Sequence, residues 1–247
     1  MPDWIEGRVT ENRQWTERLF SLRFIAAIGD FKPGQFVRIA LELDGEIVAR
    51  PYSLVNSPTE REFEIFFNIV PGGPLTPRLA ALQQGDVIKV AEKPYGFLTL
   101  DEVPAAKHLW MIATGTGVGP FISILKSGDA WQRFEKVVLV YSVRTAQELA
   151  YQDAIAEAGR QYHQQLSFIP LVTRDQLEGA INKRVTDAIV SGELEQQAGI
   201  DMSPEDSHVM MCGNSAMIAD VMELLKSRNM RKHQRREPGH ITTEKYH

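Results

Sequence analysis

Hydrophobic and polar positions follow two different rhythms along this chain. From residue 5 to about residue 92, apolar residues come in short, partly alternating runs at 19–24, 36–41, 47–55, 63–67 and 86–90. β-Branched and aromatic residues dominate these runs, and Pro33-Gly34, Asp44-Gly45, Ser57-Pro58 and Gly85-Asp86 punctuate them. Alternation between frequent turn residues predicts short strands, and their close spacing predicts a small antiparallel barrel.

The second half alternates strand with helix. Runs at 108–114, 137–141, 166–172 and 208–212 have the near-continuous apolar character of buried strands, with helical stretches predicted at 121–126, 148–162, 182–191 and 216–228. Such alternation predicts a parallel sheet with crossover helices. Pro94, Gly96 and Pro104 mark 94–106 as the linker, so the chain divides into a barrel over 1–100 and an α/β domain over 101–247.

Composition narrows the function classes. The 247 residues include one cysteine, which excludes an internal disulfide, a Cys-rich zinc site, a dithiol redox pair and a self-contained iron–sulfur cluster. No apolar run approaches the roughly 18 residues of a membrane span, and the start has no secretory signal's apolar core, so a cytoplasmic protein is expected. The formal charge of −5 is uneven: residues 226–247 hold seven Lys or Arg against two Glu, leaving 20 against 30 in the rest. Arg228, Arg231, Lys232, Arg235 and Arg236 form a dense basic stretch that suits an acidic protein partner as well as a solvated helix end. Nucleic acid is not expected, because no aromatic interleaves that stretch and the remaining body is acidic.

Two segments have the chemistry of phosphate cradles. Strand 108–114 runs into Gly115-Thr-Gly-Val-Gly-Pro120 and then an apolar helix, so glycines let backbone N–H groups approach an anion and a helix start points its dipole at it. The glycine spacing departs from the Rossmann fingerprint, and alone it reads equally as a tight strand-to-helix connection. Arg144 follows the next strand, Arg174 the third, and Arg184 opens the following helix. Charge-assisted hydrogen bonds contribute about 1.5 to 3 kcal/mol each, so two such arginines already favour NADP over NAD by roughly 10²- to 10⁴-fold before solvent screening. In the barrel half, Arg50-Pro51-Tyr52-Ser53 and Gly72-Gly73-Pro74-Leu75-Thr76, before a predicted helix over 74–82, offer a guanidinium, an aromatic ring, backbone donors and a hydroxyl. Tyr52 reads equally as a core aromatic.

In combination these motifs are more specific. Arg-x-Tyr-Ser at 50–53, Gly-x-x-Thr at 73–76, Gly-Thr-Gly-x-Gly-Pro at 115–120 and Cys-Gly-Asn at 212–214 come in the order, and at about the spacing, found in ferredoxin–NADP reductases. The whole chain resembles the compact bacterial branch of that family, also called flavodoxin reductases. The resemblance implies a two-domain flavoprotein oxidoreductase: an antiparallel barrel binds FAD, and a parallel α/β domain binds NADP(H). Electrons pass between NADPH and a one-electron carrier, ferredoxin or flavodoxin, docked on the basic stretch. Ser53, Tyr52 and Cys212 would serve at the hydride-transfer centre. Arg50, Pro51, Phe66, Gly73, Pro74, Leu75, Thr76, Thr116, Tyr246 and His247 would join Tyr52 and Ser53 around FAD. Gly115, Gly117, Val143, Arg144, Thr173, Arg174, Arg184 and Cys212 would meet NADP. Cys212 read by itself is equally a buried structural thiol. No metal is implied, and a monomer is expected.

The chain departs from the family at two positions. It ends Tyr246-His247 where close relatives end Tyr-Trp, and Phe66 stands where a tyrosine is expected. Two competing functions remain at this level: a flavin or oxygenase reductase, distinguished by preference for NADH or by activity without a protein acceptor, and a non-enzymatic nucleotide-binding regulator, distinguished by inability to hold FAD.

Overall fold

The computed structural model describes residues 3–246; His247, assigned above to FAD, lies outside them. The first half builds an antiparallel sheet from β1 (Trp4–Gln14), β2 (Leu19–Ala26), β3 (Phe36–Leu43), β4 (Glu46–Ser53), β5 (Phe63–Asn68) and β6 (Val87–Ala91), in the order β4-β3-β6-β1-β2-β5. It curls until its edges meet, where Leu54 just past β4 bridges Ile65 in β5. Val9, Leu22, Phe24, Val37, Ile39, Phe67 and Val90 fill the interior. β1 is absent from the predicted runs because Gly7 interrupts its apolar alternation. The barrel needs that glycine, since a Cβ there would lie 2.8 Å from Val90 Cγ2. Helix α1 (Thr76–Ala81) is shorter than predicted, and Asn12 Nδ2 caps it by donating to the carbonyls of Leu79, Ala80 and Leu82 at 3.0, 3.1 and 2.8 Å.

The second half contains β7 (His108–Thr114), α2 (Gly119–Ser127), α3 (Asp129–Arg133), β8 (Lys136–Val143), α4 (Gln152–Gln161), β9 (Leu166–Val172), α5 (Val185–Val190), α6 (Glu193–Ala198), β10 (Ser207–Asn214), α7 (Ser215–Ser227) and β11 (Ile241–Tyr246). The strands form a parallel sheet in the order β11-β10-β7-β8-β9. Side chains alternate between two apolar layers: Met111 and Ala113 face α2 to α4, while Trp110 and Ile112 face α5 to α7. Burial on both faces explains why these strands read as continuous apolar runs.

Three expectations change. Helix α4 starts at Gln152, four residues later than predicted, because Ala146–Glu148 forms a 3₁₀ turn and Tyr151 has a left-handed backbone, φ 59. The segment 94–106 is not a free linker: Tyr95 pairs with Phe36, and Leu98, Leu100 and Val103 are buried. The basic tail does not end free, since 241–246 adds β11 to the sheet edge, while Arg231, Lys232, Arg235 and Arg236 before it stay exposed. Its arginines are largely engaged, with Arg228 2.7 Å from Glu195, Arg231 3.6 Å from Glu237 and Arg235 2.6 Å from Glu102. Of the five basic residues, Lys232 and Arg236 alone make no ion pair among the described residues.

The two halves share one core. Leu19, Val55 and Phe66 from the barrel pack into the same apolar cluster as Val118, Phe121, Tyr141 and Tyr151. Polar ties reinforce it: Ser123 Oγ on α2 donates to the Asn56 carbonyl at 2.7 Å, and Lys126 lies 3.2 Å from Glu60.

Candidate active site

On the barrel side, β4 is the first strand of the sheet order, so Pro51 can sit in it without losing a ladder bond that the core needs. Arg50 is exposed and makes no ion pair among the described residues; its Nη1 donates to the Ala49 carbonyl at 2.8 Å. The neighbouring Tyr52 ring packs edge-on against Phe67, with centroids 6.1 Å apart. Its hydroxyl is buried without a hydrogen-bond partner, and burial pushes the phenol's pKa up. A buried, unsatisfied hydroxyl is rare unless something else supplies its partner. Beside a free guanidinium, that partner fits a polar, anionic ligand.

The turn that follows β5 completes this surface. Gly72 has φ 70, and the Gly73 N–H donates to the Val70 carbonyl at 2.9 Å. Thr76 Oγ1 accepts from the Val70 N–H at 2.8 Å, which shapes the turn and leaves the threonine proton free to donate. Pro74 accepts from Arg78 through its carbonyl. Leu75 is buried in the barrel core, so only its backbone can face a ligand. Phe66 also turns inward, 5.1 Å from the Tyr151 ring and 6.3 Å from Trp15.

On the sheet side, the connections after β7 run to opposite sides: β8 pairs on one flank of β7 and β10 on the other. Crevices at such reversal points take nucleotides in open parallel sheets. The crevice is tight where the strand ends cross, since a Cβ at Gly117 would lie 2.6 Å from the Cys212 carbonyl carbon and one at Gly213, φ 127, would lie 2.7 Å from the Thr114 carbonyl oxygen. Gly115 opens onto free space within 4 Å, where a ligand has room, and Thr116 follows it in the 3₁₀ turn. Arg144, Arg174 and Arg184 are exposed at the ends of β8 and β9 and at the start of α5, and none makes an ion pair among the described residues. Backbone bonds hold two of them together: the Arg174 N–H donates to the Arg144 carbonyl at 2.8 Å and the Thr173 N–H to the Val143 carbonyl at 3.1 Å.

The two sides meet at Ser53. Its Oγ lies 3.0 Å from Glu244 Oε1 and 2.8 Å from the Tyr246 hydroxyl. The Cys212 thiol, fully buried, stands on the neighbouring strand β10. β11 brings these groups together by pairing Glu244 with Cys212 and Tyr246 with Asn214. Burial pushes the Glu244 carboxyl up to about 7, against the downward pull of the Ser53 bond. Burial raises the Cys212 thiol and the Tyr246 phenol as well. The cluster therefore holds its protons below neutral pH and offers no thiolate nucleophile. Sequence reasoning missed Glu244; the available signal was the Glu-x-Tyr spacing, which puts both side chains on one face of a strand.

Comparison with known proteins agrees with this architecture. An oxidoreductase FAD-binding domain model matches residues 10–99 and an oxidoreductase NAD-binding domain model matches residues 111–223. The flavodoxin/ferredoxin–NADP reductase of Escherichia coli K12 is 46% identical over 247 residues, with 100% of both chains covered. The ferredoxin–NADP reductase of Pseudomonas aeruginosa is 38% identical, over 96% of this chain and 95% of its own. A crystal structure of a ferredoxin NADP+ reductase from Neisseria gonorrhoeae, with bound FAD and NADP, superposes with a TM-score of 0.93 at 29% identity, covering 99% of each chain. The free Arg50 and orphaned Tyr52 hydroxyl on one side, and the glycine-lined crevice with unpaired arginines on the other, fit the two cofactors of that relative. With both cradles and full-length similarity in hand, the chain belongs to the flavodoxin/ferredoxin–NADP reductases.

Proposed function

We infer that this protein passes electrons between NADPH and a one-electron carrier, ferredoxin or flavodoxin, through FAD. The observation that carries the reading is the Ser53–Glu244–Tyr246 cluster, built from both halves, with Cys212 on the strand beside Glu244. FAD, when bound, supplies the flavin chemistry: it takes a hydride at N5 from the nicotinamide and gives electrons up singly.

The chain's residues bind and align. Arg50, the backbone of the 73–76 turn and Thr76 hold a pyrophosphate. Tyr52 presents its ring and its hydroxyl to the cofactor. Ser53 is a hydrogen-bond donor to the flavin edge, and its assigned task is positioning, because hydride transfer depends on short, aligned geometry. The uncharged Cys212 thiol borders the nicotinamide site without introducing charge. Arg144, Arg174 and Arg184 grip a 2′-phosphate, which favours NADPH over NADH and argues against the flavin-reductase alternative.

The carrier docks beside the tail. Arg235 lies over the Phe97 ring at 4.4 Å, and Phe97 is 63% exposed, so an exposed aromatic face carries a guanidinium, with the exposed Lys232 and Arg236 nearby in the chain. Such a surface suits a small acidic partner held by a salt-sensitive contact. We place the protein in the cytoplasm as a monomer; no helix among the described residues is long and apolar enough to cross a membrane.

The purified protein should show the visible absorbance of bound FAD, and Arg50→Ala should weaken FAD retention by about 10- to 100-fold. A colourless protein that cannot be reconstituted with FAD would overturn the reading, and full flavin occupancy in Arg50→Ala would overturn the cradle assignment.

A further inference from the structure

Tyr151 belongs to neither cradle, yet it joins them. It lies between β8 and α4, is 7% exposed, and has a left-handed backbone, φ 59, which bulky residues seldom adopt. Its hydroxyl donates to Glu64 Oε1 at 2.7 Å. Glu64 stands on β5 of the barrel, is 3% exposed, and receives Arg23 Nε on its other oxygen at 3.2 Å. The Tyr151 ring packs 5.0 Å from Trp15 and 5.1 Å from Phe66, both from the barrel half. A residue of the nucleotide-binding half is thus held inside the barrel half by a charge-assisted hydrogen bond and two aromatic contacts. Burial and the neighbouring Glu64 carboxylate push the phenol well above its ordinary range, so its proton stays in place.

The chain that leads into Tyr151 carries Arg144. The Arg144 N–H donates to Glu148 Oε2 at 2.9 Å, and the Tyr141 hydroxyl donates to the Glu148 carbonyl at 3.1 Å. The Ala146 N–H donates to Asp175 Oδ2 at 3.0 Å, and the Arg174 N–H to the Arg144 carbonyl at 2.8 Å. Residues 144–151 and 173–175 therefore form one hydrogen-bonded unit that bears Arg144 and Arg174. Tyr151 fastens that unit to the barrel. A strained backbone persists only where its surroundings over-determine it, and the Glu64 bond with the two ring contacts does so here.

We propose that Tyr151 is a positioning residue: through Glu64 it sets the distance between the 2′-phosphate grip and the flavin cradle, so that NADPH held at its adenosine end presents its nicotinamide at the Ser53–Cys212 junction. This rests on the NADPH reading given above. The proposal separates two affinities that a general structural role would move together. A fragment that touches only the grip should not sense Tyr151, whereas hydride transfer across the junction should.

The test compares FAD-loaded wild type with Tyr151→Phe, which removes the hydroxyl and keeps the ring. Calorimetry measures binding of 2′-phospho-AMP, and stopped-flow absorbance measures flavin reduction by saturating NADPH together with the long-wavelength charge-transfer band of the NADP+ complex. Fragment affinity should stay within about twofold, while hydride transfer slows by on the order of tenfold to a hundredfold and the band weakens. Unchanged hydride transfer, or equal losses of fragment affinity and transfer rate, would overturn the proposal. Should Tyr151→Phe not fold or not hold FAD, Glu64→Gln against Glu64→Met makes the same decision. Gln keeps an acceptor for Tyr151, and Arg23 retains Glu11 and Glu62, each at 3.9 Å. Met must slow hydride transfer and Gln must not; equal rates overturn the proposal. Wild-type flavin left oxidised by NADPH would overturn the functional reading itself, whereas a responsive wild type with an unaffected variant overturns this proposal alone.

Discussion

An exposed glutamate is ionised at pH 6, but Glu244 is half-buried beside Ser53 and keeps its proton to about pH 7 against an ordinary value of 4.5. Two consequences follow from that shift. Protonated Glu244 leaves the Ser53 proton free to point at a ligand, whereas ionised Glu244 takes it as an acceptor at 3.0 Å. Hydride transfer should therefore fall through a step near pH 7, and Glu244→Gln should lose the step in the same pH series. The stability sign is equally definite: the unfolded carboxyl ionises first, so from about pH 4.5 to 7 the folded state binds more protons and stability falls as pH rises. Denaturant titration should show that slope in the wild type and its absence in Glu244→Gln. The sequence hid this residue because a glutamate next to Lys245 in a basic tail has the pattern of a solvated charge.

Gly213 shows how an element end sets a site. Its φ of 127 and the Thr114 carbonyl, 2.7 Å from where a Cβ would stand, leave no place for a side chain. Gly213→Ala should part the ends of β7 and β10, weaken the 2.8 Å bond from the Asn214 N–H to Thr114 Oγ1, and destabilise the fold by roughly 1–3 kcal/mol. Thermal denaturation should register that loss, while FAD content stays near that of the wild type because the barrel is untouched. Strands such as β7 and β9 were legible to the residue because most of their positions are apolar and most are buried. β1 and β11 were not. Gly7 breaks the rhythm of the first for a packing reason, and the second is a six-residue edge strand whose polar and charged residues outnumber its apolar ones. The glycines and arginines of both proposed cradles are local features that a motif can carry. The contact of Ser53 with Glu244 and Tyr246 is not, because it depends on β11 pairing beside β10 and on residues 191 apart along the chain.

At the scale of the whole molecule, the charge asymmetry survives in a narrower form. Glu195, Glu237 and Glu102 pair with three of the five basic residues, so the unpaired positive charge left for an acidic carrier is that of Lys232 and Arg236, beside an Arg235 held over the exposed Phe97 ring. Arg236→Glu should raise the KM for ferredoxin or flavodoxin at low ionic strength and flatten its salt dependence, with turnover on a small neutral quinone unchanged at saturating NADPH; steady-state assays across a salt series check this. The shared core between the halves means that flavin and nucleotide sites need no large domain closure to meet.

In the proposed reaction NADPH passes a hydride to the bound flavin and is chosen over NADH by Arg144, Arg174 and Arg184. Anaerobic stopped-flow reduction of the FAD-loaded protein, run in parallel with NADPH and NADH, tests it most directly. The structure predicts rapid bleaching of the flavin with NADPH and an efficiency with NADH lower by on the order of 10²-fold. Equal efficiencies, a preference for NADH, or a flavin that NADPH leaves oxidised would contradict it.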